Sequence, residues 1–306
     1  MTQDNNTASR IAVVGAGLMG HGIAQAFMMA GFEVTIWDPQ PAARAQVQSR
    51  VQAHLAQMGV DQDVSIQVCE TLQECAAQCD LLVEAIPENL DMKRALLKEI
   101  DEINPKCIFA TNTSVLRITE IAAGSQDPGR VVGTHWWNPP YLIPLVEVVY
   151  GEQTRPEVAK RAFDLLTRAG KVAVEVFKDA PGFVGNRMQF ALVREALHIV
   201  EEGICSPETV DQVARLTFGR RLGAVGPLRN ADFIGLDLTA AILDYLSPHL
   251  STAPASSRLL SERIADQQLG AKSGQGFYGW TPESKEAHEQ KLLDHLIRAD
   301  QADAQK

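Results

Sequence analysis

The stretch "RIAVVGAGLMGHGIAQAFMMAGFEVTIWD", residues 10–38, decides the fold of the N-terminal half. Its apolar run at residues 11–14 is typical of a buried parallel strand, and the helical periodicity that follows ends at Gly31. A second apolar strand then ends at Asp38. The stretch therefore predicts a strand–helix–strand unit from a parallel sheet that is covered by helices.

The turn between the first strand and the helix predicts a dinucleotide site. Gly15, Gly17 and Gly20 form the pattern G-x-G-x-x-G, and Leu18 and Met19 complete the predicted cofactor loop. The first glycine allows a tight turn, the second lets a pyrophosphate approach the backbone, and the third lets the helix pack on the strand. The N–H groups at the helix N-terminus would bind the phosphates.

Asp38 favours NAD as the dinucleotide. It lies 18 residues after Gly20, at the end of the second strand. Its carboxylate would accept hydrogen bonds from the ribose hydroxyls and repel the 2′-phosphate of NADP. A glycine-rich turn that only packs a helix against a sheet remains the alternative.

Strands and helices continue to alternate up to about residue 177, which predicts a doubly wound sheet with helices on both faces. Polar corners at residues 86–89, 111–114 and 134–140 follow apolar strands, so they should line one crevice. After Pro181-Gly182 only helical patterns remain. We expect an α/β fold: a Rossmann-type NAD-binding domain over 1–181, followed by an all-helical domain over 182–306.

Composition limits the classes of partner and compartment. The 306 residues are 45% apolar and 22% charged, and the formal net charge is −10. An acidic protein is a poor match for nucleic acid or for an anionic membrane surface. The polar start "MTQDNNTASR" and the short apolar runs predict a cytoplasmic protein. Five cysteines without a CxxC spacing predict neither a metal site nor a disulfide scaffold.

The stretch "GTHWWNPPYLIPLVEVV", residues 133–149, suggests an acid–base pair. A buried carboxylate is costly without a partner, so Glu147 either faces water or serves a nearby group. A hairpin-like return through the "NPP" loop could bring it to His135, twelve residues earlier. An imidazole that removes a proton becomes a cation, and a carboxylate on its other nitrogen would stabilise that cation. A purely structural histidine remains the alternative.

Six blocks of sequence together resemble the L-3-hydroxyacyl-CoA dehydrogenase family, including its relatives that act on small 3-hydroxy acids. In chain order they are "VVGAGLMGHGIA", "VEAIPENLDMK", "FATNTS", "HWWNPPYLIPLVEVV", "DAPGFVGNR" and "KSGQGFYGW", within about residues 10–280. The resemblance implies NAD-dependent oxidation of a secondary alcohol to a ketone. It also implies a homodimer formed through the helical domain and a place in fatty acid metabolism.

The resemblance also assigns catalytic roles. His135 would be the general acid/base and Glu147 would orient it, while Ser114 and Asn186 would contact the substrate oxygens. Two structural alternatives stay open: Ser114 could cap the turn before the next helix, and Asn186 could be a helix-start residue.

Three further positions match family residues near the nicotinamide end of the cofactor. They are Glu88, Lys93 and Asn112. The two charged residues could equally be ordinary surface charges.

The substrate is the weakest part of the resemblance. A 3-hydroxyacyl-CoA is the expected substrate, yet CoA-using members usually carry a lysine-rich hairpin after the second strand. Here residues 39–92 hold only Arg44 and Arg50 as basic residues, too few to hold the phosphates of CoA well. A small free hydroxy acid (a sugar acid, a carnitine-like acid or a hydroxymethyl-aromatic acid) is the alternative. A non-catalytic NAD-binding structural protein is a further one.

Two local features leave the substrate contacts open. Arg220, Arg221 and Arg229 could receive a substrate carboxylate, or they could form a solvated basic loop or a dimer contact. Trp136 and Trp137 could stack on a flat substrate or fill a corner of the fold.

Overall fold

A computed structural model describes residues 9–303. These residues fall into two compact units. Residues 9–186 and 292–303 form the sheet unit, and residues 187–291 form the helical unit. The predicted boundary at Pro181-Gly182 stays a prediction.

The described residues of the sheet unit contain one eight-stranded sheet. Its strands are β1 (Arg10–Val14), β2 (Glu33–Trp37), β3 (Ile66–Val68), β4 (Leu81–Glu84), β5 (Ile108–Thr111), β6 (Val131–Trp136), β7 (Leu145–Val149) and β8 (Val172–Val176). Their order across the sheet is β3-β2-β1-β4-β5-β6-β7-β8. Every neighbouring pair is parallel except β6 and β7, which are antiparallel.

Fourteen α-helices accompany the sheet in the described part of the chain. The first seven are α1 (Gly20–Met29), α2 (Pro41–Ala45), α3 (Val47–Met58), α4 (Leu72–Ala76), α5 (Leu90–Ile103), α6 (Ile118–Ala122) and α7 (Pro156–Arg168). The others are α8 (Gly185–Glu201), α9 (Pro207–Leu216), α10 (Phe218–Leu222), α11 (Pro227–Ile234), α12 (Leu236–Leu246), α13 (Arg258–Ala265) and α14 (Pro282–Asp303). The predicted fold class, a doubly wound sheet followed by a helical part, is confirmed.

The core lies on both faces of the sheet, because successive side chains of a strand point to opposite faces. Ile11 and Val13 of β1 pack with apolar side chains of α1, α3 and α7. Ala12 and Val14 pack on the other face, with side chains of α4, α5 and α6. Each fully buried aliphatic side chain contributes roughly 1.5–3 kcal/mol, so the two faces together hold the sheet unit.

The periodicity of the sequence predicts one helical stretch over residues 43–59 and another over residues 227–250, and both are interrupted in the structure. The stretch after the second strand divides into α2 and α3 at Gln46. The stretch that begins at Pro227 divides into α11 and α12 at Gly235, whose φ of 109° only glycine adopts readily. Arg220 and Arg221 lie on the short helix α10, so the alternative of a solvated basic loop does not apply to these two residues.

The helical unit has almost no interior of its own. Of residues 187–291, all of which the structure describes, only Gly276 is buried. Large apolar side chains face outward, among them Phe233 (89% exposed), Leu228 and Tyr245. Helices with such faces normally bury them against another element.

The cysteines divide in the same way as the burial. Cys69, Cys75, Cys79 and Cys107 are buried free thiols in the core of the sheet unit, whereas Cys205 follows α8 and is half-buried. Within residues 9–303, no helix is both long enough and apolar enough to cross a membrane.

Candidate active site

The glycine loop has the shape that a bound dinucleotide requires. Gly15 has φ +101°, and a Cβ there would lie 2.6 Å from the Ala85 carbonyl oxygen. A Cβ on Gly20 would lie 1.7 Å from the Gly15 carbonyl oxygen, so the helix can start this close only with glycine. Above Gly17 the space is open to 4 Å. A phosphate could approach the backbone there.

The N-terminus of α1 is suited to an anion. Met19 is its N-cap, and the described residues give this helix neither a side-chain cap nor an acidic residue in its first turn. Leu18 points outward beside it, 66% exposed. Asp38 Oδ2 accepts a hydrogen bond from Ala16 N (2.8 Å), which holds the carboxylate beside the loop. These residues fit a dinucleotide whose phosphates bind at the helix N-terminus.

His135 and Glu147 form a buried pair. They lie directly opposite each other on the antiparallel strands β6 and β7. His135 Nδ1 is 2.6 Å from Glu147 Oε2, and the glutamate is only 2% exposed, so it does not face water. Because an ionised carboxylate only accepts, Nδ1 carries the hydrogen, and Nε2 is left as the basic nitrogen.

The second oxygen of Glu147 is held by backbone. Oε1 accepts hydrogen bonds from Val184 N (3.0 Å) and Gly185 N (3.1 Å), at the start of α8. Burial by itself raises the pKa of Glu147, but the hydrogen bonds from His135, Gly185 and Val184 outweigh it and lower the pKa. The carboxylate therefore stays ionised beside the imidazole.

Two aromatic side chains flank the imidazole. The Trp137 ring is 4.9 Å from that of His135, and the Phe183 ring is 5.6 Å away, centroid to centroid. A Cβ on Gly185 would lie 2.2 Å from Trp137 Cζ2, so this position must remain glycine for the indole to pack here. Trp136, in contrast, is buried against Phe27 in the core.

The sequence reasoning missed the roles of residues 183–185. The block "DAPGFVGNR" indicates the domain boundary, Asn186 and the family resemblance, but no role for these three residues. The block itself was a signal, because its two glycines mark a backbone that approaches another group closely.

Ser114 and Asn186 lie together. Asn186 Nδ2 donates to the Ser114 carbonyl oxygen (3.0 Å) from the first turn of α8. Glu88 Oε1 accepts from Ser114 N (3.0 Å) and from the Thr113 hydroxyl. In the turn before α6 the Thr113 hydroxyl accepts a hydrogen bond from Leu116 N (3.1 Å), and the N-cap of α6 is Arg117. The backbone of Ser114 is therefore fixed from two sides.

Glu88 and Lys93 lie close together, and Lys93 is not a surface charge. Burial raises the pKa of Glu88, but the hydrogen bond from Thr113 and the charge of Lys93 overcome this and lower it. Lys93 is 0% exposed, with Nζ 2.6 Å from Glu84 Oε1 and 3.5 Å from Glu88 Oε2. Glu84, which the sequence reasoning did not identify, thus forms the closest ion pair of this cluster.

Asn112 serves the strand that carries the histidine. Its Oδ1 accepts a hydrogen bond from Trp136 N (2.9 Å), which ties the end of β5 to the end of β6. The arginines of the predicted basic segment are exposed: Arg220 and Arg221 on α10, and Arg229 on α11. Whether they bind substrate stays open.

Family models match most of the chain. The model for the NAD binding domain of 3-hydroxyacyl-CoA dehydrogenase matches residues 10–180, and the model for its C-terminal domain matches residues 182–280.

Three curated proteins show the range of relatives. A 5-formyl-3-hydroxy-2-methylpyridine 4-carboxylate 5-dehydrogenase of Mesorhizobium japonicum is 33% identical, over 94% of this chain and 96% of the relative. A probable 3-hydroxybutyryl-CoA dehydrogenase of Bacillus subtilis is 40% identical, over 89% and 97%. An L-carnitine dehydrogenase of Streptomyces griseus is 36% identical, over 83% and 80%.

Solved structures resemble the chain to different degrees. The 5-formyl-3-hydroxy-2-methylpyridine 4-carboxylic acid 5-dehydrogenase, described as an NAD⁺ dependent dismutase, gives a TM-score of 0.90 at 32% identity, covering 94% of this chain and 96% of that one. The (S)-3-hydroxybutyryl-CoA dehydrogenase of Ralstonia eutropha gives 0.74 at the same 32% identity, covering 90% and 100%.

Proposed function

The chain belongs to the 3-hydroxyacyl-CoA dehydrogenase family, and from that premise we propose that it interconverts a 3-hydroxyacyl-CoA and its 3-keto product. Its N-terminal domain is an NAD-binding domain. The observation that carries the proposal is the buried contact of 2.6 Å between His135 Nδ1 and Glu147 Oε2. In the proposed reaction His135 is the general acid/base and Glu147 orients it.

Proton transfer follows from the pair. When bound, NAD supplies the acceptor for the hydride that leaves the carbinol carbon. Oxidation of the alcohol also requires loss of the hydroxyl proton, and His135 Nε2 takes this proton as a general base. The imidazolium that results is stabilised by Glu147, which Val184 N and Gly185 N already hold in place. Such positioned acid–base help contributes roughly 10²–10⁴ in rate.

Neutral donors would hold the substrate. Ser114 and Asn186 contact the substrate oxygens in this proposal, and the contact between Asn186 Nδ2 and the Ser114 carbonyl supports their acting at one place. Glu88 and Asn112 would lie at the nicotinamide end of the cofactor, and the buried Lys93 would act there through Glu88, 3.5 Å away. Asp38 would accept hydrogen bonds from the ribose hydroxyls. Preorganised donors of this kind stabilise charge on a reacting oxygen.

The decisive assay compares substrates. In the direction of reduction, kcat/KM is measured by NADH oxidation with acetoacetyl-CoA and with a panel of free 3-keto acids. In the direction of oxidation, kcat/KM is measured by NADH formation with the matching hydroxy acids. A kcat/KM for acetoacetyl-CoA at least about tenfold above every free acid supports the thioester and, with it, a place in fatty acid metabolism. A preference for a free acid overturns it. No turnover with any compound, despite tight NAD binding, would instead support the non-catalytic alternative.

A small free hydroxy acid is the second candidate, and one observation favours it. The TM-score is 0.90 against a dehydrogenase of a pyridine carboxylic acid but 0.74 against a hydroxybutyryl-CoA dehydrogenase of equal sequence identity. Residues 39–92 also offer few cations, and Arg44 is already paired with Glu70 at 2.6 Å. A hydroxymethyl-pyridine carboxylate and carnitine therefore belong in the panel.

We also propose that the protein is a homodimer joined through its helical unit. The support is the near absence of buried residues over 187–291 and the outward apolar side chains, such as Phe233. Obligate dimers cover apolar surface of this kind. Sedimentation velocity should give a dimer for the wild type and a monomer or aggregate for Phe233→Asp. A wild type that sediments as a monomer at micromolar concentration would overturn the proposal.

A further inference from the structure

Lys171 is a buried cation at the start of β8. Its Nζ donates to the carbonyl oxygens of Pro140 (2.7 Å) and Ile143 (3.1 Å). The same nitrogen lies 5.7 Å from the centroid of the Trp136 ring. Removing an ammonium from water costs several kcal/mol, and two carbonyls and a ring face recover only part of that. A residue kept at such a cost invites a functional explanation.

The two carbonyls belong to the segment that joins the acid–base strands. Residues 137–144 lead from β6, which carries His135, to β7, which carries Glu147. Next to Lys171, Val172 N donates to the Pro144 carbonyl oxygen (2.9 Å) at the same end of β7. The alignment of β6 with β7 decides whether the imidazole meets the carboxylate, since a slip of one residue would turn the side chain to the other face.

One carboxylate acts on Lys171 through its charge, that of Asp300 in α14. The charge of Asp300 raises the pKa of the lysine. The pKa of Asp300 is itself raised by burial and by the charge of Asp303, and the charge of Lys171 opposes this. The groups of the 137–144 segment that contact the ammonium are uncharged. The family model of the C-terminal domain matches residues 182–280, so Asp300 lies outside the matched range.

We propose that Lys171 is a positioning residue for the His135–Glu147 pair: through the carbonyl oxygens of Pro140 and Ile143, its ammonium holds the segment between their strands. The role rests on the proposed function for its effect on turnover. Its effect on the hydrogen bond between His135 and Glu147 is independent of any substrate.

The charge of Lys171 is sensitive to alkaline pH. Burial lowers its pKa to about 8, and Asp300 opposes this. Above that pH the neutral amine still donates hydrogen bonds, but without the charge that strengthens them. The segment should then loosen and turnover should fall. Removing Asp300 should shift this loss to lower pH.

The first test replaces Lys171 by methionine, which keeps the length of the side chain. Two quantities are measured: kcat on the best substrate, and the downfield NMR resonance of the His135 Nδ1 proton without substrate. We expect kcat to fall at least about tenfold with KM and the NAD affinity within threefold, and the resonance to broaden or vanish. Lys160→Met, at an exposed lysine of α7, is the matched control and should behave as the wild type. An unchanged resonance in Lys171→Met overturns the proposal, even if the protein has no measurable turnover.

The second test does not depend on Lys171→Met folding. In Asp300→Asn, the pH at which the His135 resonance broadens, and the alkaline limb of kcat where there is turnover, should move to lower pH by at least half a unit. If the pH midpoint of this broadening does not move, the charge of Lys171 does not control the His135–Glu147 contact, and the proposal is overturned. The wild type could show no turnover with any substrate while the His135 resonance still responds to Asp300→Asn. That result would reject the proposed reaction but not the positioning role.

Discussion

Two buried glutamates in the sheet unit invite comparison. Glu84 ends β4 and Glu147 lies within β7, at 0% and 2% exposure. Glu84 accepts hydrogen bonds from Lys93 Nζ (2.6 Å), the Thr111 hydroxyl (2.7 Å) and Ile86 N (2.9 Å). Glu147 accepts from an imidazole and two backbone N–H groups. Both carboxylates have three donors, but the donors differ in kind.

The difference in donors separates an ion pair enclosed by protein from the pair to which the proposed function assigns the chemistry. Burial raises the pKa of Glu84, and the charge of Lys93 opposes this without reversing it. At Glu147 the hydrogen bonds prevail over burial, and the pKa is lowered. The ammonium of Lys93 contacts only other protein groups among the described residues, namely Glu84, Glu88 and the Ile86 carbonyl oxygen. An imidazole bound through Nδ1 still offers Nε2, which is why the proposed function assigns the proton transfer to the second pair.

The largest expected effect is at the imidazole. His135→Ala should lower kcat by roughly 10²–10⁴-fold, because it removes the base, while the NAD dissociation constant changes less than threefold. Steady-state kinetics and fluorescence titration with NADH measure the two. Retention of the wild-type kcat would remove the histidine from the chemistry.

The structural pair should respond in stability instead. Glu84→Gln removes the closer counter-charge of the buried Lys93 and leaves only Glu88 at 3.5 Å, so the free energy of unfolding should fall by about 3 kcal/mol, the lower end of the range for a broken buried pair. Urea denaturation followed by circular dichroism measures it, and Glu33→Gln, at an exposed ion pair with Arg10, is the control expected to change by less than about 1 kcal/mol. If both substitutions cost the same, the buried pair is not what holds this edge of the sheet.

Glu147→Gln is expected to have a smaller kinetic effect than loss of the histidine. An amide can still accept the Nδ1 hydrogen, but it carries no charge to stabilise the imidazolium, so kcat should fall roughly 10–10²-fold. The pH profile of kcat should change with it. A profile and a kcat equal to those of the wild type would leave Glu147 as a packing residue only.

The smallest effect, and the sharpest contrast, concerns stability in acid. Glu147, whose folded pKa is lowered, stabilises the protein above its unfolded value near 4.5, and this is lost as pH falls through the folded pKa. Glu84, whose folded pKa is raised, has the opposite sign: the native state gains as pH falls through that pKa. As pH falls below about 4.5, Tm should therefore fall less steeply in Glu147→Gln than in the wild type. As pH falls towards about 4.5 from above, Tm should fall more steeply in Glu84→Gln, because that variant lacks the gain from Glu84. Equal slopes in all three proteins would contradict the assignment.

Local signals made the fold predictable. The apolar run before Gly15 and the helical spacing after Gly20 describe elements whose identity depends on neighbours in the chain, and the family resemblance extended this to the whole fold. The breaks at Gln46 and Gly235 were missed, because a single residue inside a periodic pattern carries little weight against it.

The site was predictable only in part. A hairpin return makes the meeting of His135 and Glu147 a short-range inference over twelve residues. The N–H groups of Val184 and Gly185 reach the same carboxylate from almost forty residues away, and a backbone group has no residue type that a sequence could display. Lys171 was missed for a related reason, since its partners are carbonyl oxygens.

The uneven burial of the cysteines has a practical consequence. Cys205 can accept a maleimide dye or spin label under native conditions, while Cys69, Cys75, Cys79 and Cys107 are closed inside the sheet unit. One thiol should react quickly with a colorimetric reagent, and the other four should react only as that unit opens. The rate at which these four thiols react would then measure how often the sheet unit opens, and the measurement needs no substrate.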